Sequence, residues 1–199
     1  MSATHLLAPE LNRKTTITIK HAIKFIAVCA LSITANATFA HVVLQEGFAK
    51  ANTSYRATFQ VGHGCDGSST NDLRVIIPAG FNGAQPMPKP GWTVYTKVGP
   101  LEVPYESHGK TYTEGNLEIR WVANGAANAL PAPFYDEFVL RGTTPGKAGP
   151  IWFKVIQGCE VGTNDWVEVP ASGTSTKGLK APAALLQIQA APAASKHAH

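Results

Sequence analysis

Helical periodicity, long apolar runs and excess charge are all scarce in this chain of 199 residues. No window sustains a 3.6-residue apolar period between caps, so an all-helical fold is excluded. No apolar stretch reaches the roughly 20 residues a membrane-crossing helix needs. There is no GxGxxG, no P-loop, no HExxH and no nucleophile elbow, which removes dinucleotide, phosphate, zincin and α/β-hydrolase chemistry from the first rank. No internal repeat is visible. Methionine is limited to 2 residues and cysteine to 3.

What is present begins with a leader. Arg13, Lys14, Lys20 and Lys24 precede an uncharged run, FIAVCALSITANATFA, that ends in small residues at Ala40. Basic segment, apolar segment and small-residue cut form the order of a secretory signal. Residues 1–40 are therefore expected to be a cleaved signal peptide, with Thr38 and Ala40 at the two small positions. A cut after Ala37 also satisfies the pattern. Export with no remaining membrane anchor is the expected outcome.

Cleavage changes the charge. The whole chain has 17 Lys and Arg against 13 Asp and Glu; four of the bases and one acid, Glu10, fall before His41, which leaves 13 against 12. A near-neutral mature chain has no basic field to attract nucleic acid. Cys29 leaves with the leader. Cys65 and Cys159 remain, and two thiols in an exported protein are expected to pair. They close a loop of about 95 residues, for which chain-entropy reasoning gives a few kcal/mol.

The rest of the chain reads as β-structure. YRATFQV (55–61) alternates Tyr55, Ala57, Phe59 and Val61 on one face. Residues 73–78, 92–98, 113–123, 135–142, 151–159 and 165–170 are likewise rich in β-branched and aromatic residues. Gly- and Pro-rich gaps separate them, including 78–91 and 97–104. Seven short strands predict an all-β, immunoglobulin-like antiparallel β-sandwich with a disulfide, over residues 41–189. LLQIQ (185–189) is a candidate final strand, and 190–199 a flexible tail. Trp92, Trp121 and Trp152 are expected in the core. Adjacent Asp136 and Glu137 point to opposite faces of a strand, so they read as a partner for Arg141 or a strand-end turn rather than as an acid/base pair.

The chemistry concentrates at His41. If the chain is cut after Ala40, this residue offers a free α-amine and an imidazole together. Two nitrogens on one short covalent path form a chelate suited to Cu(II). The amine must give up its proton, so binding is expected to weaken as pH falls. A second cluster is VGHGCDGSST (61–70), which brings His63, Cys65 and Asp66 onto a Gly-rich turn. Asp66-Gly67 is also ordinary turn chemistry. A blue-copper centre is excluded, because it needs a free Cys and usually an axial Met. His197 and His199 near the end read either as an exposed auxiliary metal hook or as residues without a role. Trp166 lies seven residues past Cys159, so a disulfide would bring it near the Cys65 turn.

The ordered blocks AHV (40–42), VGHGCDGS (61–68), PMPKPGW (86–92), YDEFVLRG (135–142) and GCEVGTNDWVEVP (158–170) resemble the YcnI-like family, known as DUF1775. The likeness covers residues 41–170. It implies an exported β-sandwich that binds Cu(II) through a monohistidine brace: amine and imidazole of the first mature residue, a nearby carboxylate, and a tryptophan beside the metal. His41 maps onto the brace histidine and Trp166 onto the tryptophan. The Bacillus-type members carry a Glu on the loop after the strand matching YRATFQV. Here Asp66 is the nearest carboxylate, His63 a competing donor and Glu46 a third choice. The two cysteines depart from that pattern and look like the version in Gram-negative members. The resemblance implies a periplasmic copper chaperone or buffer that exchanges the copper ion with a copper transporter or another copper-handling protein. Two other readings stay open: a metal-free structural or interaction module, and a copper-dependent oxidative enzyme that would need His63 or His108 as a second histidine.

Overall fold

The computed structural model describes residues 41–191. The expected leader 1–40, most of the 190–199 tail, and His197 and His199 lie outside the described residues. Eleven strands are found among them: β1 (Val43–Leu44), β2 (Phe48–Lys50), β3 (Ser54–Val61), β4 (Thr70–Ile76), β5 (Asn82–Pro86), β6 (Trp92–Ser107), β7 (Lys110–Ala123), β8 (Asp136–Thr143), β9 (Gly149–Cys159), β10 (Thr163–Trp166) and β11 (Ala184–Gln189). A single 3-10 turn, Ala126–Asn128, interrupts them.

The strands form two sheets. One runs β1-β3-β8-β5; the other runs β2-β11-β9-β4-β7-β6, with β10 pairing β9. The sandwich is antiparallel as expected, with one parallel strand pair added, β2 with β11. The chain enters β2 in the direction that β11 later takes, and the two meet as neighbours at the sheet's edge. β9 is the hub of the larger sheet. Its 154–159 half lies beside β4 on one side. On the other side it pairs β11 over 149–153 and β10 over 155–158.

The inner faces follow the period-2 rule. Tyr55, Ala57, Phe59 and Val61 of β3 are all buried, as the alternation predicts. They face Leu73, Val75, Ile119, Phe153, Val155 and Leu186 of the other sheet within one core. Phe153 stands edge-on to Phe59 at 5.4 Å and to Phe81 at 5.1 Å between ring centroids. Fully burying each such side chain contributes about 1.5–3 kcal/mol. Trp92 and Trp121 are buried as expected, and the Trp121 indole donates to the Met87 carbonyl at 3.1 Å. Trp152 is a correction. In β9 the inward set is Phe153, Val155 and Gln157, so its neighbour Trp152 turns outward and is half-buried.

Two Gly- and Pro-rich gaps also turn out to be strands. Residues 82–86 form β5, an edge strand where Pro86 is tolerated. The 97–104 gap belongs to β6, whose pairing with β7 shifts register between Lys97 and Val98 and again between Pro100 and Tyr105. Asp136 pairs with Lys89 at 2.7 Å, not with Arg141. Arg141 instead donates twice to the Gln85 side-chain oxygen, at 3.0 and 2.9 Å.

Candidate metal centre

The end of the sandwich where β3 finishes gathers most of the residues singled out above. His41 immediately precedes buried Val42 and the short strand β1. In β1, Val43 faces Gln60 and Leu44 faces Phe59 of β3. Continuing that antiparallel register sets His41 opposite Gly62, one residue from His63. The main chain thus fixes where the His41 ring begins, at the lip of the smaller sheet.

Trp166 reaches the same lip from the larger sheet. It is the last residue of β10 and pairs with Val155. That register turns its side chain inward, diagonal to Gln157 on the same face. The ring is 4% exposed. It meets His41 at 5.5 Å between ring centroids, with the planes at 83°. His41 itself is half-buried. The two residues that sequence reasoning placed in one site, 125 positions apart, are therefore in contact.

The turn after β3 is tightly built. Cys65 and Ser68 exchange backbone hydrogen bonds at 3.1 and 2.8 Å. Between them Asp66 has φ +46° and Gly67 φ +85°, a pair of left-handed residues that suits the Asp-Gly sequence. Gly64 is required here: a Cβ on it would lie 1.8 Å from the Ser68 carbonyl oxygen. Cys65 is bonded to Cys159 at the end of β9, with 6.0 Å between the two Cα atoms. The predicted disulfide is present and ties the turn of one sheet to the central strand of the other.

His63 and Asp66 line one surface hollow with Gly64, Gly67, Ala132 and Pro133. The Nδ1 edge of His63 lies against the Gly64 carbonyl oxygen. Asp66 is exposed at the tip of its turn. Neither is gathered with His41 into a three-donor cluster: among the described residues there is no group of three or more His, Cys, Asp and Glu close enough to hold a metal ion. The Glu46 side chain is exposed, and its carbonyl receives the Tyr55 hydroxyl. Two other carboxylates near the lip have partners. Asp136, opposite Val61, is bound by Lys89. Glu137 accepts from the Tyr135 hydroxyl, which holds that phenol above its usual range. The donor set fits Cu(II) through His41, whose amine and imidazole would supply two nitrogens. The contact with Trp166 would give an ion held there an aromatic neighbour. The third donor is not assembled among these side chains.

Gln157 is the residue that sequence reasoning missed. It accepts the Trp166 indole N–H at 3.0 Å and donates to the His63 carbonyl at 2.7 Å. Its signal was legible: it is the polar member of the inward set Phe153, Val155, Gln157.

Two β-sheets packed face to face around a shared aromatic core define the class of the molecule: an immunoglobulin-like β-sandwich, stapled by a disulfide at the end that carries His41. The chain belongs to the family described as "Domain of unknown function (DUF1775)", whose profile matches residues 41–188; this is the YcnI-like family to which the sequence blocks pointed. Among solved structures the chain is similar to an uncharacterized protein from Nocardia farcinica with an immunoglobulin-like fold. Identity is 19%, with 74% of this chain and 97% of that one covered at a TM-score of 0.57. A type I cohesin from Pseudobacteroides cellulosolvens aligns at 8% identity over 80% of this chain and 97% of its own, with a TM-score of 0.37. No curated protein gives a significant match.

Proposed function

We propose that this protein is exported to the periplasm and binds Cu(II) at His41 once the chain has been cut after Ala40. It then acts as a copper chaperone or buffer for a copper transporter or another copper-handling protein. The observation that carries the reading is the contact between the half-buried His41 ring and the buried Trp166 ring. Support also comes from the leader pattern that ends at Ala40 and from membership of the YcnI-like family.

The chemistry is conditional on maturation. While Ala40 precedes it, the His41 nitrogen is an amide and is no donor. Cleavage turns it into an amine, and one residue then closes a chelate with little further loss of freedom. His63 and Asp66 are the proposed sources of a third donor, which requires their turn to move toward His41. His108 does not enter this site. It follows β6 in a groove it shares with Ser54, at the far end of β3 from His63. Eight strand residues set these ends on the order of 20 Å apart. That separation favours a binding role over an oxidative enzyme built on His41 and His108.

The test is a Cu(II) titration of two proteins, one beginning at His41 and one carrying a single extra Gly before it. The extra residue should weaken binding by more than about 100-fold, above the range typical of changes to groups that merely support ligands. Equal affinity in the two proteins would place the ligands elsewhere.

A further inference from the structure

Gln157 occupies a position that the core would fill more cheaply with Leu. It is 1% exposed, its β4 neighbour is the fully buried Leu73, and its own strand offers Phe153 and Val155 on the same face. A buried amide destabilises a core unless every group finds a partner. A primary amide has one oxygen and two N–H donors, and here all are engaged. The oxygen accepts from Trp166 at 3.0 Å; the nitrogen donates to the His63 carbonyl at 2.7 Å and to the Thr70 hydroxyl at 2.7 Å.

The three partners have different meanings. Thr70 lies in the same sheet, at the irregular end of β4. The His63 carbonyl belongs to the turn after β3, in the opposite sheet. That bond, with the adjacent Cys65–Cys159 link, closes the two sheets over one another. These two would be satisfied by any buried donor, as a purely structural role requires. The third needs an acceptor aimed at an indole N–H. A bond at the indole nitrogen disfavours rotation of the ring about its side-chain torsions, and it is this indole that meets His41 at 83°.

We infer that Gln157 is a positioning residue: its amide oxygen locks the Trp166 ring against His41, and its amide nitrogen sets the turn carrying His63 relative to both. The inference deepens the copper-binding reading and rests on it for the role of the locked ring. The locking itself does not depend on copper. A fixed aromatic wall on one side of His41 limits how many further ligands can approach a bound ion, and so shapes its coordination as well as its affinity.

The experiment uses protein beginning at His41, with Gln157→Leu, Gln157→Glu and Trp166→Phe. The Trp166→Phe variant identifies the Trp166 indole N–H resonance by its disappearance. Without copper, that proton should exchange slowly in the native protein, rapidly in Gln157→Leu, and slowly again in Gln157→Glu, which keeps an acceptor oxygen. With Cu(II), Gln157→Leu should raise the dissociation constant about 10-fold, the lower end of what supporting groups contribute. It should also alter the EPR spectrum of the bound ion, while Gln157→Glu recovers most of both. A folded Gln157→Leu protein with a protected indole and an unaltered copper spectrum overturns the inference. Where Gln157→Leu does not fold, loss of indole protection in Gln157→Glu overturns it equally. Failure of the native protein to take up Cu(II) defeats the proposed function alone, because the exchange measurement still decides whether Gln157 holds Trp166.

Discussion

At each end of the sandwich a buried polar side chain gathers hydrogen bonds from separate segments, and the two ends use that hub differently. At the end where β3 begins, the hub is Thr144, fully buried just after β8. Its hydroxyl accepts from the Thr53 N–H at 3.0 Å and donates to the Lys50 carbonyl at 2.6 Å. At the end where β3 finishes, the hub is Gln157. Thr144 serves main-chain groups only. They belong to β2 and the turn behind it. Gln157 serves one main-chain group and two side chains, and one of those side chains touches His41. A hub whose partners are all backbone closes a fold. A hub that immobilises another side chain, at a lip beside a half-buried histidine, has something to hold in place.

The comparison can be broken most forcefully at the disulfide. Replacing Cys65 and Cys159 together with Ala releases a link across 94 positions. It should lower the free energy of unfolding by about 2–5 kcal/mol, measured in urea. It also frees the turn that Gln157 grips through the His63 carbonyl, so the exchange of the Trp166 indole proton should accelerate in the still-folded protein. A loss of stability with the indole still protected would show that Gln157 holds Trp166 without help from the disulfide, and would narrow the functional lip to those two residues.

Thr144→Val sharpens the contrast from the other side. The variant keeps the shape but removes the acceptor of the Thr53 N–H, at about 1–3 kcal/mol; the Lys50 carbonyl still accepts from the Thr53 hydroxyl at 2.8 Å. Copper affinity should not change, because Thr144 and His41 lie at opposite ends of β3 and distant sites act independently. A Thr144→Val protein that loses copper as Gln157→Leu does would mean that both variants act through general loosening, and the distinction between the hubs would fall.

The two ends were also unequally legible from sequence. The His41 end was marked by residue types that carry chemistry: a histidine after a leader-like pattern, two cysteines expected to pair, and the HGCDGS turn. The strand alternation of YRATFQV placed its four inward residues correctly, because period 2 depends on local geometry alone. Trp152 was misplaced because bulk was weighed above alternation; Phe153, one position on, takes the core. The β5 strand was hidden by its glycine and proline, which a sheet edge tolerates and a sheet centre does not. The parallel β2–β11 pair and the contact between His41 and Trp166 join residues more than a hundred positions apart, and Gln157 reaches the His63 carbonyl across 94; no local pattern announces such meetings. Thr144 carried no signal at all, since Thr is ordinary at the end of a strand.

The smallest effect concerns Tyr55, an inward residue at the Thr144 end. Its hydroxyl donates to the Glu46 carbonyl, and burial, with a smaller contribution from the Glu46 charge, holds its pKa well above the usual tyrosine range. The folded phenol therefore stays neutral where the unfolded one, with an ordinary value near 10, ionises. The unfolded chain then binds fewer protons than the folded chain, so stability falls as pH rises past about 10; below that the contribution is intact. Tyr55→Phe should cost about 0.5–1.5 kcal/mol at neutral pH for the lost hydrogen bond. It should also flatten the alkaline decline, read as urea midpoints on either side of about pH 10. Tyr135→Phe, which removes an exposed phenol at the His41 end, should leave that decline nearly unchanged, because solvent screens its bond to Glu137. If the two variants flatten the decline equally, alkaline sensitivity is spread over the molecule and does not distinguish the two ends.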